Sequence, residues 1–258
     1  MKKDSGLLYR TFSSILALFL MIALISAGFA ETERGDLNAR FSDEITVTYA
    51  DTSYRLKSRI TTVMFAGFAA GDDGTYVPEV LVLLTVDDNE KLMTPIWLDS
   101  ALLTEYTPIP VDGTAEFIDT EDIDVRCEEL LGTVNSLLPA ELAEHYVALD
   151  LASLRLLDGL DTPDYLDRMR AIKEQVEQTD SEQLDDIFDK MSGQIVSDMK
   201  SGGLIKIADK AERYDRVKMV RFVEQTDPEK PDDSEVVYSP EAMLEFSIDV
   251  FFEKKELW

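Results

Sequence analysis

The chain has 258 residues, of which 45% are hydrophobic and 9% aromatic, so it has enough apolar side chains to form the core of an ordinary domain. This composition excludes a low-complexity or disordered chain. The 52 acidic residues outnumber the 25 basic ones, and the formal net charge is −27. Such a charge excludes proteins that bind nucleic acid or anionic lipid surfaces by neutralising phosphates, and it leaves cations, neutral surfaces and apolar ligands as partners.

The chain contains one cysteine, Cys127, and one histidine, His145. A single cysteine excludes an internal disulfide framework and a thiolate metal cage, and a single histidine excludes zinc sites that need two or more. It also argues against a Ser-His catalytic triad. We expect Cys127 in the core, and we expect His145 to be packed or at the surface rather than catalytic.

The N-terminal segment has the charge pattern of a membrane anchor. Three basic side chains lie in the first ten residues, the uncharged apolar run Ile15–Ala30 follows, and the chain then turns acidic. This order places the N-terminus in the cytoplasm and the rest outside. We expect residues 1–12 to be a cytoplasmic tail and residues 13–30 to be a transmembrane helix, with a cleaved signal peptide or a buried core helix as alternatives. The predicted location is the cell membrane, single-pass with an extracellular C-terminal domain, or secretion after cleavage.

The first half of the exported part predicts three strands. Residues 31–56 are polar and predict a tether, in which the alternating stretch Ile45–Ala50 is either tether or edge strand. The domain itself is expected over residues 57–258. Runs of β-branched and apolar residues predict strands, and the glycine-rich residues 66–74 predict a loop. The predicted strands are Ile60–Ala66, Val80–Val86 and Leu92–Trp97.

The second half is mostly helical in pattern. One apolar stripe over 122–138 predicts a helix that Pro139 ends. The strand His145–Leu149 follows, and Ser239 before Pro240 predicts the start of a final helix. The other predicted helices are Leu151–Leu160, 163–178, 181–199 and one to about Tyr214, and the other predicted strands are Arg216–Val223 and Val236–Tyr238. Strands that alternate with helices predict an α/β domain with a central mixed sheet between helical layers.

Local motifs do not identify a chemistry. The chain has no phosphate-binding loop, dinucleotide fingerprint, nucleophile elbow or zincin motif. The acidic stretch 116–124 lacks the spacing of a calcium loop, so we interpret it as a solvated face.

The order of the segments resembles the LytR-CpsA-Psr family over about residues 57–258. The strands Ile60–Gly67, Val80–Val86 and Leu92–Ser100 match its opening. The stretch Glu128–Leu160 matches its helix, loop, strand and helix. Residues 164–170 and the closing strand and helix from Val236 also fit. The signal is one of order and pattern rather than of a fixed catalytic signature.

The resemblance implies a membrane-anchored phosphotransferase. Such proteins move anionic glycopolymers from a polyprenyl-pyrophosphate carrier onto peptidoglycan, with arginines on the pyrophosphate, carboxylates on Mg²⁺ and an apolar tunnel around the lipid. Phosphoryl transfer depends on this neutralisation and positioning of phosphate oxygens. Carried over to this chain, the resemblance implies Asp99, Arg168 and Arg170 as catalytic residues and Glu79 and Asp99 as Mg²⁺ ligands.

The chain also departs from the family's pattern. The segment Gly67–Ala69 lacks the expected carboxylate, and Val77–Val80 keeps only the acid Glu79. The segment Trp97–Asp99 keeps the aspartate and loses an arginine. We therefore expect a divergent member that binds polyprenyl lipid or envelope glycopolymer with impaired catalysis. The alternatives are an active glycopolymer phosphotransferase and a non-catalytic envelope scaffold, so whether the protein is an enzyme stays open.

Overall fold

The computed structural model describes residues 45–71, 74–104, 106–110, 122–151, 195–199, 203–204, 206–207, 210, 213–217, 219–226 and 234–255. The predicted anchor over 13–30 lies outside these residues. The same holds for the helix predicted over 163–178 and for all but the first residue of Leu151–Leu160. None of the described helices has the length and apolar character that a membrane crossing requires.

A small antiparallel sheet joins the two ends of the described chain. Its strands are β1 (Thr46–Tyr49), β2 (Thr52–Leu56) and β12 (Phe252–Lys254), in the order β1-β2-β12. Ala50 and Asp51 form the two-residue turn between β1 and β2, both at positive φ, which is the backbone of a tight hairpin. The alternating stretch at Ile45–Ala50 is therefore a strand, one of the two alternatives its pattern left open.

A larger mixed sheet forms the centre of the molecule. Its main path is β11-β10-β5-β4-β3-β7-β8, with β6 beside β4 and β9 beside β5. The pairs β3–β4 and β4–β5 are antiparallel, whereas β3–β7, β5–β10 and β10–β11 are parallel. The strands are β3 (Ile60–Ala70), β4 (Thr75–Asp87), β5 (Leu92–Leu98), β6 (Ile109–Pro110), β7 (His145–Asp150), β8 (Ile195–Ser197), β9 (Asp215–Arg216), β10 (Val220–Val223) and β11 (Glu235–Val237).

Two helices pack against one face of this sheet. They are α1 (Ile123–Leu137) and α2 (Pro240–Phe251). Their buried side chains share one core with the strand residues Leu83 and Ile96. On the other face of the sheet, Val82 and Leu84 are also buried. Burial on both faces explains why the middle of β4, Val80–Leu84, is apolar without interruption.

The structure corrects three sequence predictions. The glycine-rich residues 66–74 are not all loop, because β3 continues to Ala70 and pairs with β4 beyond a bulge at Gly67/Phe68. The helix predicted over 181–199 is wrong at its end, where β8 pairs with β7. The strand predicted over Arg216–Val223 is two strands, β9 and β10, which pair separately with β5. In each case pairing with a distant strand decides the local conformation.

Candidate functional site

Asp99 is fixed at the carboxyl end of β5. Its backbone N–H donates to the Phe222 carbonyl at 2.9 Å. Its Oδ1 accepts from the Ala101 N–H at 3.0 Å and so caps the short 3-10 turn Ser100–Leu102. The side chain is therefore held in one position, with Oδ2 left to face the neighbouring strand.

Arg221 reaches Asp99 from β10. It lies opposite Trp97 in the parallel register of β5 and β10. Its Nη2 donates to Asp99 Oδ2 at 2.9 Å, and its Nη1 donates to Glu235 Oε1 at 3.2 Å. The guanidinium carbon lies 5.9 Å from the centroid of the Trp97 ring, a cation–π distance. We refer to Trp97, Asp99, Arg221 and Glu235 as the Arg221 cluster.

The Arg221 cluster is partly exposed and has an excess of negative charge. The exposed fractions of the side chains are 33% for Arg221, 26% for Asp99 and 12% for Glu235. Two carboxylates share one guanidinium, so the formal charge of the group is negative. The Nε of Arg221 is buried and has no hydrogen-bond partner among the described residues. Both terminal nitrogens of Arg221 thus bind a carboxylate, whereas the third nitrogen, Nε, is unpaired among the described residues.

Of the predicted catalytic and metal residues, the structure describes Asp99 and Glu79 and does not join them. Arg168 and Arg170 lie outside the described residues. Glu79 is exposed on β4, and no hydrogen bond or ion pair joins it to Asp99 within the described chain. Nor does that part of the chain contain a group of three or more acidic, histidine or cysteine residues able to hold a metal ion. Both oxygens of Asp99 already bind protein donors, so the described residues do not form a ready Mg²⁺ site.

Arg221 was not predicted as a site residue from the sequence. The alternation of the segment 216–223 predicted a strand, and it places Arg221 on the face opposite Phe222. What it lacked was the partner strand, because the parallel pairing of β10 with β5 joins residues more than a hundred positions apart. Arg221 was one of three basic residues in that predicted strand, so the sequence alone did not single it out.

Cys127 and His145 have the environments expected of them. Cys127 is fully buried on α1, and burial raises the pKa of its thiol to about 12. His145 is partly buried, and its Nδ1 lies 2.9 Å from Asp198 Oδ2. The other oxygen of Asp198 accepts from the Tyr146 N–H at 2.9 Å, so this carboxylate fastens the turn after β8 to β7.

Comparisons with known proteins give structural neighbours only. No family model and no curated protein sequence matches the chain. TagV of B. subtilis is 13% identical with a TM-score of 0.40, over 75% of this chain and 98% of that one. TagT bound to LI-WTA is 11% identical with a TM-score of 0.44, over 86% and 99%. The transcriptional regulator EF0465 from Enterococcus faecalis is 16% identical with a TM-score of 0.37, over 63% and 75%. Similarity at this level does not identify a family or an activity.

Proposed function

We propose that this protein is a divergent member of the LytR-CpsA-Psr type that binds a polyprenyl lipid or an envelope glycopolymer on the outer face of the membrane, with impaired catalysis. The order of the sequence segments supports the proposal. The segments that carry the resemblance form regular elements in the structure. They contain the strands β3, β4 and β5, then α1 followed by β7, and finally β11 followed by α2.

The observation that carries the impaired-catalysis part is the sharing of Arg221. Transfer of a phosphoryl group from a pyrophosphate carrier requires positive charge that faces the phosphate oxygens. Among the described residues, Arg221 is the basic side chain bonded to Asp99, and Glu235 shares it. Two carboxylates around one guanidinium repel a further anion. Burial of an apolar polyprenyl chain does not depend on that charge, so binding can persist where transfer is lost.

The active phosphotransferase remains the second candidate, and one observation favours it. Although the chain lacks an arginine next to Asp99 in sequence, Arg221 brings a guanidinium to within 2.9 Å of that carboxylate. An active site would need further basic side chains at the same place. Arg168 and Arg170 are the predicted sources, with Asp99 and Glu79 on Mg²⁺.

The test uses the full chain in detergent. It is mixed with polyprenyl phosphate and examined by native mass spectrometry, and a parallel reaction contains Mg²⁺, peptidoglycan and a glycopolymer on its polyprenyl-pyrophosphate carrier. We expect a lipid-bound species and no ligated polymer. Ligation that requires Mg²⁺ would overturn the impaired-catalysis proposal in favour of the active enzyme. Absence of the lipid-bound species would favour the third alternative, a non-catalytic envelope scaffold.

A further inference from the structure

The guanidinium of Arg221 is only partly used by its two carboxylates. Arginine carries five N–H donors, and its Nε–H and one Nη2–H point in the same direction, which lets an anion with two oxygens bind both. Asp99 binds Nη2 alone, at 2.9 Å. The neighbouring Nε is buried and unpaired among the described residues. This edge of the guanidinium is therefore half occupied.

The local geometry explains why Asp99 does not occupy the whole edge. Its second oxygen, Oδ1, is committed to the Ala101 N–H at 3.0 Å. A carboxylate that caps a turn with one oxygen can offer only the other to Arg221. Glu235 cannot complete the edge either, because its Oε1 binds Nη1 on the opposite side of the guanidinium, at 3.2 Å.

The rest of the Arg221 cluster holds the guanidinium in place. The backbone N–H of Arg221 donates to the Ser234 carbonyl at 2.8 Å, and the ring of Trp97 lies beside the charged group. Asp99 follows the carboxyl end of β5, which is parallel to β10, and this end of parallel strands is where open α/β sheets bind ligands. The donor edge is thus fixed in position while the carboxylate that blocks it is a quarter exposed.

We propose that the Nε–Nη2 edge of Arg221 is a binding site for a phosphate group and that Asp99, assisted by Glu235, is an internal competitor that occupies this edge in the free protein. A phosphate replaces the single contact from Asp99 with two charge-assisted hydrogen bonds and pairs the buried Nε. The inference rests on the proposed function, since it assigns the phosphate end of the bound lipid to this edge, and it adds that affinity is limited by the protein's own carboxylates.

The competitor can be removed without removing the cap. Asp99→Asn keeps the oxygen that accepts from Ala101 but presents an uncharged NH₂ group to Arg221. We expect the full chain in detergent to bind inorganic pyrophosphate about tenfold more tightly with this substitution, measured by calorimetry at constant ionic strength. Glu235→Gln is expected to give a smaller gain in the same direction, because its contact with Arg221 is longer. It also carries the test if Asp99→Asn does not fold.

A matched control distinguishes the effect of this site on affinity from the effect of overall charge. Glu129→Gln removes the same charge from an exposed ion pair with Arg126 on α1, also at 2.9 Å, and is expected to leave the affinity for pyrophosphate unchanged. The double variant Asp99→Asn with Arg221→Gln is expected to lose the gain. An equal gain from Glu129→Gln, a gain that survives Arg221→Gln, or no gain in both Asp99→Asn and Glu235→Gln would overturn the proposal.

Two further measurements identify the ligand and distinguish this inference from the proposed function. The affinity for acetate should rise less with Asp99→Asn than the affinity for pyrophosphate does. An equal rise for the two anions would overturn the assignment to phosphate. Failure of the wild-type chain to bind polyprenyl phosphate would refute lipid binding as the proposed function. The ratio of the pyrophosphate affinities of Asp99→Asn and the wild type would still report on Arg221. Lipid binding that is unchanged by Arg221→Gln would refute the present inference alone.

Discussion

At the scale of single residues, close neighbours decide which side chains the central sheet accepts. Gly67 lies in β3 next to β4 and β7. A Cβ atom at this position would lie 2.6 Å from Leu151 Cδ2 and 3.3 Å from Val80 Cβ. A larger residue at this position would therefore displace neighbouring side chains, and the glycine reflects this close approach rather than a turn.

Replacement of Gly67 tests this packing. Gly67→Ala is expected to lower the free energy of unfolding by about 1–3 kcal/mol, because the added methyl group forces the buried Leu151 and Val80 to move. The matched control is Gly132→Ala in the exposed part of α1, where nothing lies within 4 Å of the new Cβ. There the same change should raise stability by about 0.5–1 kcal/mol. Urea unfolding of both variants gives the comparison, and destabilisation of the same size in both would contradict it.

Cys127 gives a prediction about pH. Burial raises the pKa of its thiol from 9.0 to about 12, so above pH 9 the unfolded chain releases this proton while the folded chain keeps it. The thiol's contribution to stability is complete below pH 9 and is lost as the pH rises toward 12. Urea unfolding of the wild type should show stability falling between about pH 8.5 and about pH 10, a range that includes the ordinary pKa of a thiol. Cys127→Ala should show a smaller fall, and an identical pH dependence in both proteins would refute the assignment.

At the scale of elements, local signals were sufficient where the contacts are local. The start of α2 is an example: Ser239 accepts from the Ala242 N–H at 3.0 Å and Pro240 takes the first helical position, as the sequence predicts.

Removal of this cap should weaken the helix. Ser239→Ala is expected to lower the free energy of unfolding by about 0.5–2 kcal/mol, because the Ala242 N–H loses its acceptor. Ser136→Ala is the control, since that serine is exposed and its hydroxyl donates to the Thr133 carbonyl within α1. Thermal melts followed by circular dichroism measure both, and an equal loss from Ser136→Ala would show that the cap is not the cause.

The elements that the sequence missed depend on contacts between distant residues. The strands β3, β4 and β5 and the helix α1 follow from runs and periodicity within each segment. The strand β8 does not, because residues 195–197 adopt it through pairing with β7. Asp99 was predicted as a site residue because the family resemblance implies it. Arg221 was not predicted, because its contact with Asp99 exists only in the assembled sheet.

At the scale of the whole molecule, Lys57 connects the small sheet to the large one. It follows β2, and its N–H donates to the Phe251 carbonyl at the end of α2. Its Nζ lies 3.4 Å from Asp87 Oδ2 at the end of β4 and 3.4 Å from Glu90 Oε1. Asp87 is only 4% exposed, so Lys57 supplies the positive charge beside a buried carboxylate.

The loss of Lys57 should therefore be costly. Lys57→Met is expected to lower the free energy of unfolding by about 3 kcal/mol, because it leaves the Asp87 carboxylate buried without its cation. Arg55→Met is the matched control on the same sheet. Its ion pair with Glu253 is about half exposed and should contribute about 0–1 kcal/mol. Chemical denaturation measures both, and a loss from Lys57→Met no larger than that from Arg55→Met would contradict the role of Lys57 as the link.

The charge of the whole chain and that of the site have the same sign. The formal net charge is −27, and the Arg221 cluster places two carboxylates around one guanidinium. Both oppose the approach of a pyrophosphate, whereas neither opposes burial of an apolar chain. This is why we propose lipid binding rather than phosphoryl transfer as the function.

The most direct measurement is a titration of the full chain in detergent with polyprenyl phosphate, compared with the polyprenol of the same chain length that lacks the phosphate. We predict saturable binding of both lipids, with the phosphate form bound more tightly in Asp99→Asn than in the wild type. Absence of saturable binding of either lipid by the folded wild-type protein would contradict lipid binding, the central claim of the proposed function.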